Sequence, residues 1–468
     1  MKINAEVLNH SEKIKHFLLK EMNAGQIKNY QVNISYSLSK STQLTNGALF
    51  TRDPLHTSHK VTIGVFFSAG NNKSGILNTK GTDFEKWVRL YLKSRAIAQE
   101  LPFAGKFQKF SGYPILELAS PELLSLFVSN NIESEISRLM GILDNAAKHV
   151  KSPRLMNRET SVLFAMQNRI YFDSNLNEAL EFSASCELFC SFSLQDSIES
   201  SADIFGSVPT VAECLHLVSM AARNIIVADV RPFEPSLSYS VLLSPTALLT
   251  LVEELLIPNL SLRDMLDGTS AWELNQLGKK VIENISISDD PHLKYSPFSS
   301  AFDSEGTPTQ KVLVLDNGVL KHPLMNVRLL EEIRLISPEQ ASQLKLSGHG
   351  QEGDEVEHTN VFVDLHIPQC TNAELLTKSF EVLHINQLTG MSCDTLTGQF
   401  ALDAEAVKVY HGGKLKYSTS VTLRGNLFDC VSAENNLKGD QERVQNYWLP
   451  SLYTSELKCV SKNMQSQE

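Results

Sequence analysis

The sequence predicts an α+β protein of two domains, and three observations carry that prediction. At 468 residues the chain exceeds what one hydrophobic core ordinarily serves. Its first half mixes amphipathic helices with alternating strands, whereas hairpin signals dominate the second. Between them, "ADVRPFEPSLSYS" (228–240) carries two prolines and a polar run that interrupt both patterns. The expected organisation is an N-terminal mixed α/β domain on 1–230, then a mostly antiparallel, β-rich domain on 231–468.

In the first half, "MKINAEVLNHSEKIKHFLLKEM" alternates charged and apolar residues at helical spacing and has no continuous apolar stretch. It reads as an amphipathic helix over 4–23 and not as a signal peptide. "YQVNISYSLS" (30–39) alternates as a half-buried strand does, Asn46-Gly47 marks a turn, and "KVTIGVFF" (60–67) gives a second strand. A helix is expected over 82–101, with Thr82 as its cap and Glu85 completing a capping box. Another spans 132–150, where Ile132, Ile136, Leu139, Met140, Ile142 and Leu143 share a face, and a third spans 210–228. In the second half, "KVLVL-DNG-VLK" (311–321) and "AVKVY-HGG-KLKYSTSVTL" (406–423) read as hairpins, and "TNVFVDLHI" (359–367) alternates strictly.

Composition narrows the function. With 42% apolar and 20% charged residues the chain falls in the globular range. A net charge of −11 without a Lys/Arg run argues against a nucleic-acid or anionic-membrane surface, which needs a clustered cationic face. No 18-residue uncharged apolar run occurs, so no membrane-spanning helix is expected. Seven scattered cysteines fit a reducing, cytoplasmic setting. Cys186 and Cys190 lie four apart in apolar surroundings with no second pair, and read as buried thiols rather than ligands.

No Gly-rich phosphate loop, nucleophile elbow or HExxH occurs. The acid-rich stretch "SDDPHLKYSPFSSAFDSEGTP" (288–308) brings forward Asp289, Asp290, Asp303 and Glu305. Their spacing does not match a calcium loop, which sets carboxylates at close alternating positions with a closing Glu. A general acid/base pair remains open, because proximity in space cannot be read from sequence. The preferred reading is turn chemistry, in which carboxylates accept from their own backbone amides and Gly306 supplies a left-handed φ. At period two, His358, Asn360, Phe362, Asp364 and His366 share one strand face. His358 and His366 are then roughly 26 Å apart at ~3.3 Å per residue, too far to share a metal, while Asp364 and His366 are close enough to pair. His349, in "SGHGQEGDEVEH", reads as part of a mobile polar loop.

From residue 241 the order of motifs resembles the TldD/PmbA family, also called modulators of DNA gyrase. The resemblance rests on Gly268, Ser270, Gly278, Asp289-Asp290-Pro291, Asp303, Glu305-Gly306, Gly318-Val319-Leu320, Asn360, Thr397-Gly398, Phe400 and "RGNLFD" (424–429). Members of the family are two-domain α+β proteins that dimerise around an enclosed cavity. The TldD-type subunit carries a metal-binding HExxxH and a late cysteine ligand; the PmbA/TldE type lacks the motif and partners it. Together they act as a metalloprotease on unfolded or small peptides, including peptide-natural-product precursors and an antitoxin.

Where HExxxH would stand, this chain reads Ser244-Pro245-Thr246-Ala247-Leu248-Leu249-Thr250-Leu251-Val252-Glu253-Glu254. No histidine occurs between His216 and His292, and no cysteine between Cys214 and Cys370. The resemblance therefore implies a PmbA/TldE-type subunit with no catalytic or metal-ligating residue and no cofactor of its own. Zinc or iron is expected in a TldD-type partner. Candidate substrate or cavity residues are Asp289, Asp290, Asp303, Glu305, Asn360, Asp364 and His366. Two alternatives stand beside this: a self-sufficient enzyme of the family, and a binding or scaffold homodimer. Departures from the family pattern are Glu405-Ala406-Val407 and Ser379, where glycines are usual, and Cys430, which follows "RGNLFD" without a histidine pair.

Overall fold

The computed structural model describes residues 5–46, 51–53, 55–69, 73–100, 109–129, 131–152, 155–194, 198–223, 225, 230–234, 239–351 and 355–461, arranged around two sheets. The first sheet is ordered Gln99–Glu100, Lys73–Lys80, His56–Ala69, Ile27–Asn46, Leu155–Asp173, Glu178–Leu194, Ile198–Phe205, with Thr51–Arg52 paired to Ile27–Asn46. Every pairing in it is antiparallel. This makes the first half α+β rather than a parallel α/β unit.

Alternation decides what each face of this sheet does. Val32, Ile34, Ile63, Val65, Phe67, Phe164 and Leu188 point to one side, where they meet Ile14 and Leu18, Trp87 and Tyr91, Ile136 and Leu139, and Leu217. Those side chains come from the helices Ala5–Asn23, Phe84–Ala96, Ile132–His149 and Val211–Ala221. Cys186 and Cys190 are buried in this core, and burial pushes the Cys190 thiol up to about 12. The opposite face carries the half-buried Asn33, Ser35, Thr62 and Arg169 and is left to dock the second half.

Local departures have local reasons. Asp83, not Thr82, caps the second helix: its carboxylate accepts from Lys86 N at 2.9 Å, while the Thr82 hydroxyl donates to Glu6. That helix stops at Ala96 because Gln99–Glu100 pair as an edge strand with Lys73 and Ser74. The helix at 211 is capped by a reciprocal Thr210–Glu213 box and ends at Ala221; 224 and 226–228 of its expected extension lie outside the described residues, as do Gly47 of the Asn46-Gly47 turn and residues 228–229 and 235–238 of the expected boundary.

The second sheet runs Val319–Leu320, Val312–Asp316, Ile285–Asp289, Val361–Leu365, Tyr447–Thr454, Ser240–Leu243, Glu381–Ile385, Gln399–His411, Lys414–Asn426, Lys458–Ser461, with Thr389–Asp394 and Leu437–Val444 branching from it. It is antiparallel except where Val361–Leu365 meets Tyr447–Thr454 and where Glu381–Ile385 meets Ser240–Leu243. The Asn317-Gly318 turn has φ of +46° and +81°, the left-handed pair a two-residue hairpin needs. Ala406 sits at φ +53° in a bulge between Ala404 and Val407, a left-handed conformation that favours glycine. Ser244 caps the helix Pro245–Leu255 by accepting from Ala247 N, and Ala247, Leu248, Leu251, Val252 and Leu255 seat it in the core of the second sheet. No helix among the described residues is long and apolar enough to cross a membrane.

Candidate functional site

The acid-rich stretch proves to be the bolt between the two halves. Phe302, wholly buried, projects from the second half between Tyr113 and Tyr171, at ring distances of 5.8 and 6.0 Å. The Arg169 guanidinium lies 4.5 Å from the ring centre. The buried Glu181 carboxylate accepts from Ala301 N at 2.6 Å, Ser300 Oγ at 2.9 Å and Arg169 at 3.1 Å. Asn33 donates to the Ser304 carbonyl, and Tyr113 to that of Gly306 at 2.9 Å. Gly306 has φ +77°, and a Cβ there would meet Tyr171 Cζ at 1.9 Å, so both backbone shape and space call for glycine. Arg443, bonded to the Ile204 carbonyl at 2.9 Å, adds a second bridge.

Within the bolt the carboxylates hold backbone. Asp303 accepts from Glu305 N, Thr307 N and Gly350 N at 2.8–2.9 Å. Burial pushes its carboxyl up to about 6 against these three donors and His349. Glu305 accepts from Val327 N at 2.7 Å, at the start of the helix Val327–Ile336. Asp290 accepts from His292 N at 3.0 Å and Lys311 Nζ at 2.8 Å; burial pushes its carboxyl up, but these donors more than offset it and hold it below the usual range. Asn360 ties Ser296, Ser299 and the Asp290 carbonyl together at 2.6–3.0 Å. The structure thus brings Asp289, Asp290, Asp303, Glu305 and Asn360 into one cluster.

Asp364 and His366 lie apart from that cluster, exposed farther along the strand Val361–Leu365. They do not pair with each other: Asp364 binds Lys438 at 2.7 Å, and His366 Nε2 meets Ser286 Oγ at 2.7 Å. His349 does not belong to a mobile loop. It is buried, with Nε2 2.8 Å from Asp289 Oδ1, and Ser304 N and Oγ both donate to the Gly350 carbonyl and hold 347–351 against the bolt.

Behind Asp289 runs a polar chain that sequence reasoning missed. Asp289, itself buried, also accepts from Thr359 N at 2.6 Å. One residue earlier, His358 places Nε2 2.6 Å from the hydroxyl of buried Tyr447. Burial lowers the His358 pKa, with the Asp289 charge opposing. The Tyr447 hydroxyl also bonds Glu253, on the helix Pro245–Leu255. Glu253 sits at an exposed position, yet its carboxyl is raised, first by desolvation and then by Glu254. Glu253, Tyr447 and His358 are a carboxylate, a hydroxyl and an imidazole in series, which can hold a proton or pass one between helix and sheet. Nearby in the fold, where the bolt crosses the first sheet, a cleft of about 500 Å³ is lined by Asn33, Asn78, Lys80, Arg169 and Ser304.

The donor set does not fit a metal. A zinc or iron site needs three or more imidazole, thiolate or carboxylate donors converging within about 2 Å of the ion, and no three His, Cys, Asp or Glu among the described residues, the carboxylates of the bolt included, are placed to hold one. The side of the helix Pro245–Leu255 turned away from its core offers Thr246, Thr250 and Glu253, and His358, which reaches that side through Tyr447, already engages the Tyr447 hydroxyl.

Comparison with known proteins adds the family context. The family model for the PmbA/TldA metallopeptidase C-terminal domain matches residues 236–461. An uncharacterized protein of Methanocaldococcus jannaschii is 30% identical over 206 residues, covering 44% of this chain and 47% of that protein. Metalloprotease PmbA of Escherichia coli O157:H7 is 24% identical over 198 residues, covering 41% and 40%. The chain thus spans under half the length of these curated relatives. Likeness of fold extends much further. A candidate modulator of DNA gyrase from Thermotoga maritima superposes with a TM-score of 0.74 at 20% identity, over 96% of this chain and 99% of that one. TldE from Thermococcus kodakarensis gives 0.70 at 14% identity, over 96% and 100%.

Proposed function

This chain belongs to the TldD/PmbA family, and from that premise we propose that it is the metal-free subunit of a two-subunit peptidase. The observation that carries the reading is the helix Pro245–Leu255, which presents Thr246, Thr250 and Glu253 where a catalytic subunit would present histidines. A TldD-type partner brings HExxxH and its zinc or iron. The present chain completes the cavity of a heterodimer and holds the substrate. Its units on 1–230 and 231–468 act as two domains bolted through Phe302. Asp289, Asp290, Asp303, Glu305 and Asn360 shape the loop bordering the cavity, and Asp364 and His366 stand on an exposed strand face.

The substrates are unfolded or small peptides, of the kind represented by peptide-natural-product precursors and antitoxins, met in the cytoplasm. The strand Ile198–Phe205 pairs on one side only among the described residues, and an extended peptide added there would be held through backbone and tolerated in many sequences. Co-expression with a HExxxH-bearing family member tests this: a 1:1 complex that cleaves an unfolded peptide, when neither chain alone does, is the expected result.

A second reading is favoured by the Glu253–Tyr447–His358 series, which would suit a self-sufficient, metal-free acid/base enzyme. Turnover by the pure chain, lost in His358→Gln, would establish that reading. An inactive homodimer that ignores every HExxxH partner would instead mark a binding scaffold.

A further inference from the structure

The helices Ile132–His149 and Val211–Ala221 and the strand Gln399–His411 border an open cavity of about 810 Å³ where the two halves meet. That is within the size range of small-molecule sites. Its walls are mainly aliphatic, from Ile142, Ala146, Val150, Leu215, Val218 and Ala222, with Asn145, His149 and Ser219 among them. Leu215 and Val211 there keep 50% and 51% of their surface exposed, an open apolar lining that a ligand would remove from water.

Into this lining project two cations, Arg223 and Lys408. Burial lowers the Lys408 pKa and the neighbouring Arg223 charge lowers it further. Glu442 approaches Arg223 at 3.7 Å, but among the described residues no carboxylate pairs with Lys408. Behind them His384 is held neutral by burial, then by Lys408 and Arg223, and adds no further charge. Two like charges facing a partly dry cavity repel each other and favour an anion between them.

We propose that this cavity binds a small aliphatic carboxylate, its head between Lys408 and Arg223 and its tail along Ile142, Ala146, Leu215 and Val218. A purely apolar ligand would leave Lys408 uncompensated, and a bare anion would leave the aliphatic walls wet. The cavity shares no lining residue with the Glu253–Tyr447–His358 series.

Calorimetric titration of the full chain with octanoate, octanol and inorganic phosphate provides the test. Octanoate is expected to bind at one site, with octanol, which has the same tail without the charge, weaker by at least about tenfold. Phosphate should not compete. Lys408→Met should weaken octanoate by about tenfold or more and leave octanol unchanged; Ala146→Leu, which fills the cavity, should weaken both. No saturable octanoate binding at millimolar concentration, or octanol binding as tightly as octanoate, overturns the proposal, and that comparison on the unmodified chain decides even if a variant does not fold. An unchanged octanoate affinity in folded Lys408→Met overturns it as well.

Discussion

Phe302→Ala is the sharpest probe of how the two halves are joined. Phe302 is fully buried, and truncating such a side chain typically costs about 3–5 kcal/mol. Much of that follows from the lost apolar area, with the Tyr113 and Tyr171 edge contacts adding about 0.5–1.5 kcal/mol each and the Arg169 cation–π contact about 1 kcal/mol. A loop can relax into part of the cavity, so the low end, about 3 kcal/mol, is the expected loss. It should fall on the docking and not on either core, because Phe302 packs with Tyr171, Ala301, Tyr113, Leu116 and Ala179 in a cluster of its own. In urea, followed by circular dichroism and by limited proteolysis, the unmodified chain should lose both halves together. Phe302→Ala should split the transition and expose 291–308 to cleavage before either sheet unfolds. An unchanged midpoint and cleavage pattern would refute the idea that this segment bolts the halves.

Three further outcomes follow from single sites. Gly306→Ala should destabilise the same junction by more than about 2 kcal/mol, since φ +77° and the Tyr171 ring both oppose a Cβ; the urea midpoint reads it. His384, lowered from 6.5 to about 4 mainly by burial, takes up its proton more readily in the unfolded chain. Its contribution is therefore complete above pH 6.5 and is lost as pH falls toward 4, by up to about 3 kcal/mol at ~1.4 kcal/mol per unit; in His384→Gln that part of the acid slope should flatten. Tyr447→Phe leaves His358 Nε2 without its 2.6 Å partner and should cost about 1–3 kcal/mol, measured by thermal melting.

What was legible in the sequence was local. Asn317-Gly318 announced its hairpin because two successive left-handed residues have few alternatives, and the apolar face of 132–150 announced its helix because period 3.6 persists over five turns. The alternation of Val361, Val363 and Leu365 against Asp364 and His366 placed inside and outside correctly, but Asn360, assigned to the same polar face, is fully buried because its side chain ties Ser296 and Ser299 into the bolt. The long strands Leu155–Asp173 and Glu178–Leu194 went unnoticed even though "SVLFAMQNRIYF" alternates, since Leu163, Ala165 and Tyr171 on the face opposite Val162, Phe164 and Met166 blur the period. The bolt was read as turns. That holds for Asp303 and Asp290, but Glu181 meets Ala301 across 120 residues and Tyr447 meets His358 across 89, and no local signal encodes such pairings. His349 misled because glycines and charges around it look like loop, while its burial comes from Asp289, 60 residues away.

The central claim is that this chain contributes no metal centre and works through a partner. Elemental analysis of the isolated chain and of its complex with a HExxxH-bearing family member, each paired with a peptide-cleavage assay, tests it most directly. The account predicts substoichiometric zinc and iron and no cleavage for the chain alone, with one metal per heterodimer and cleavage in the complex. A stoichiometric metal in the isolated chain that supports cleavage would contradict it.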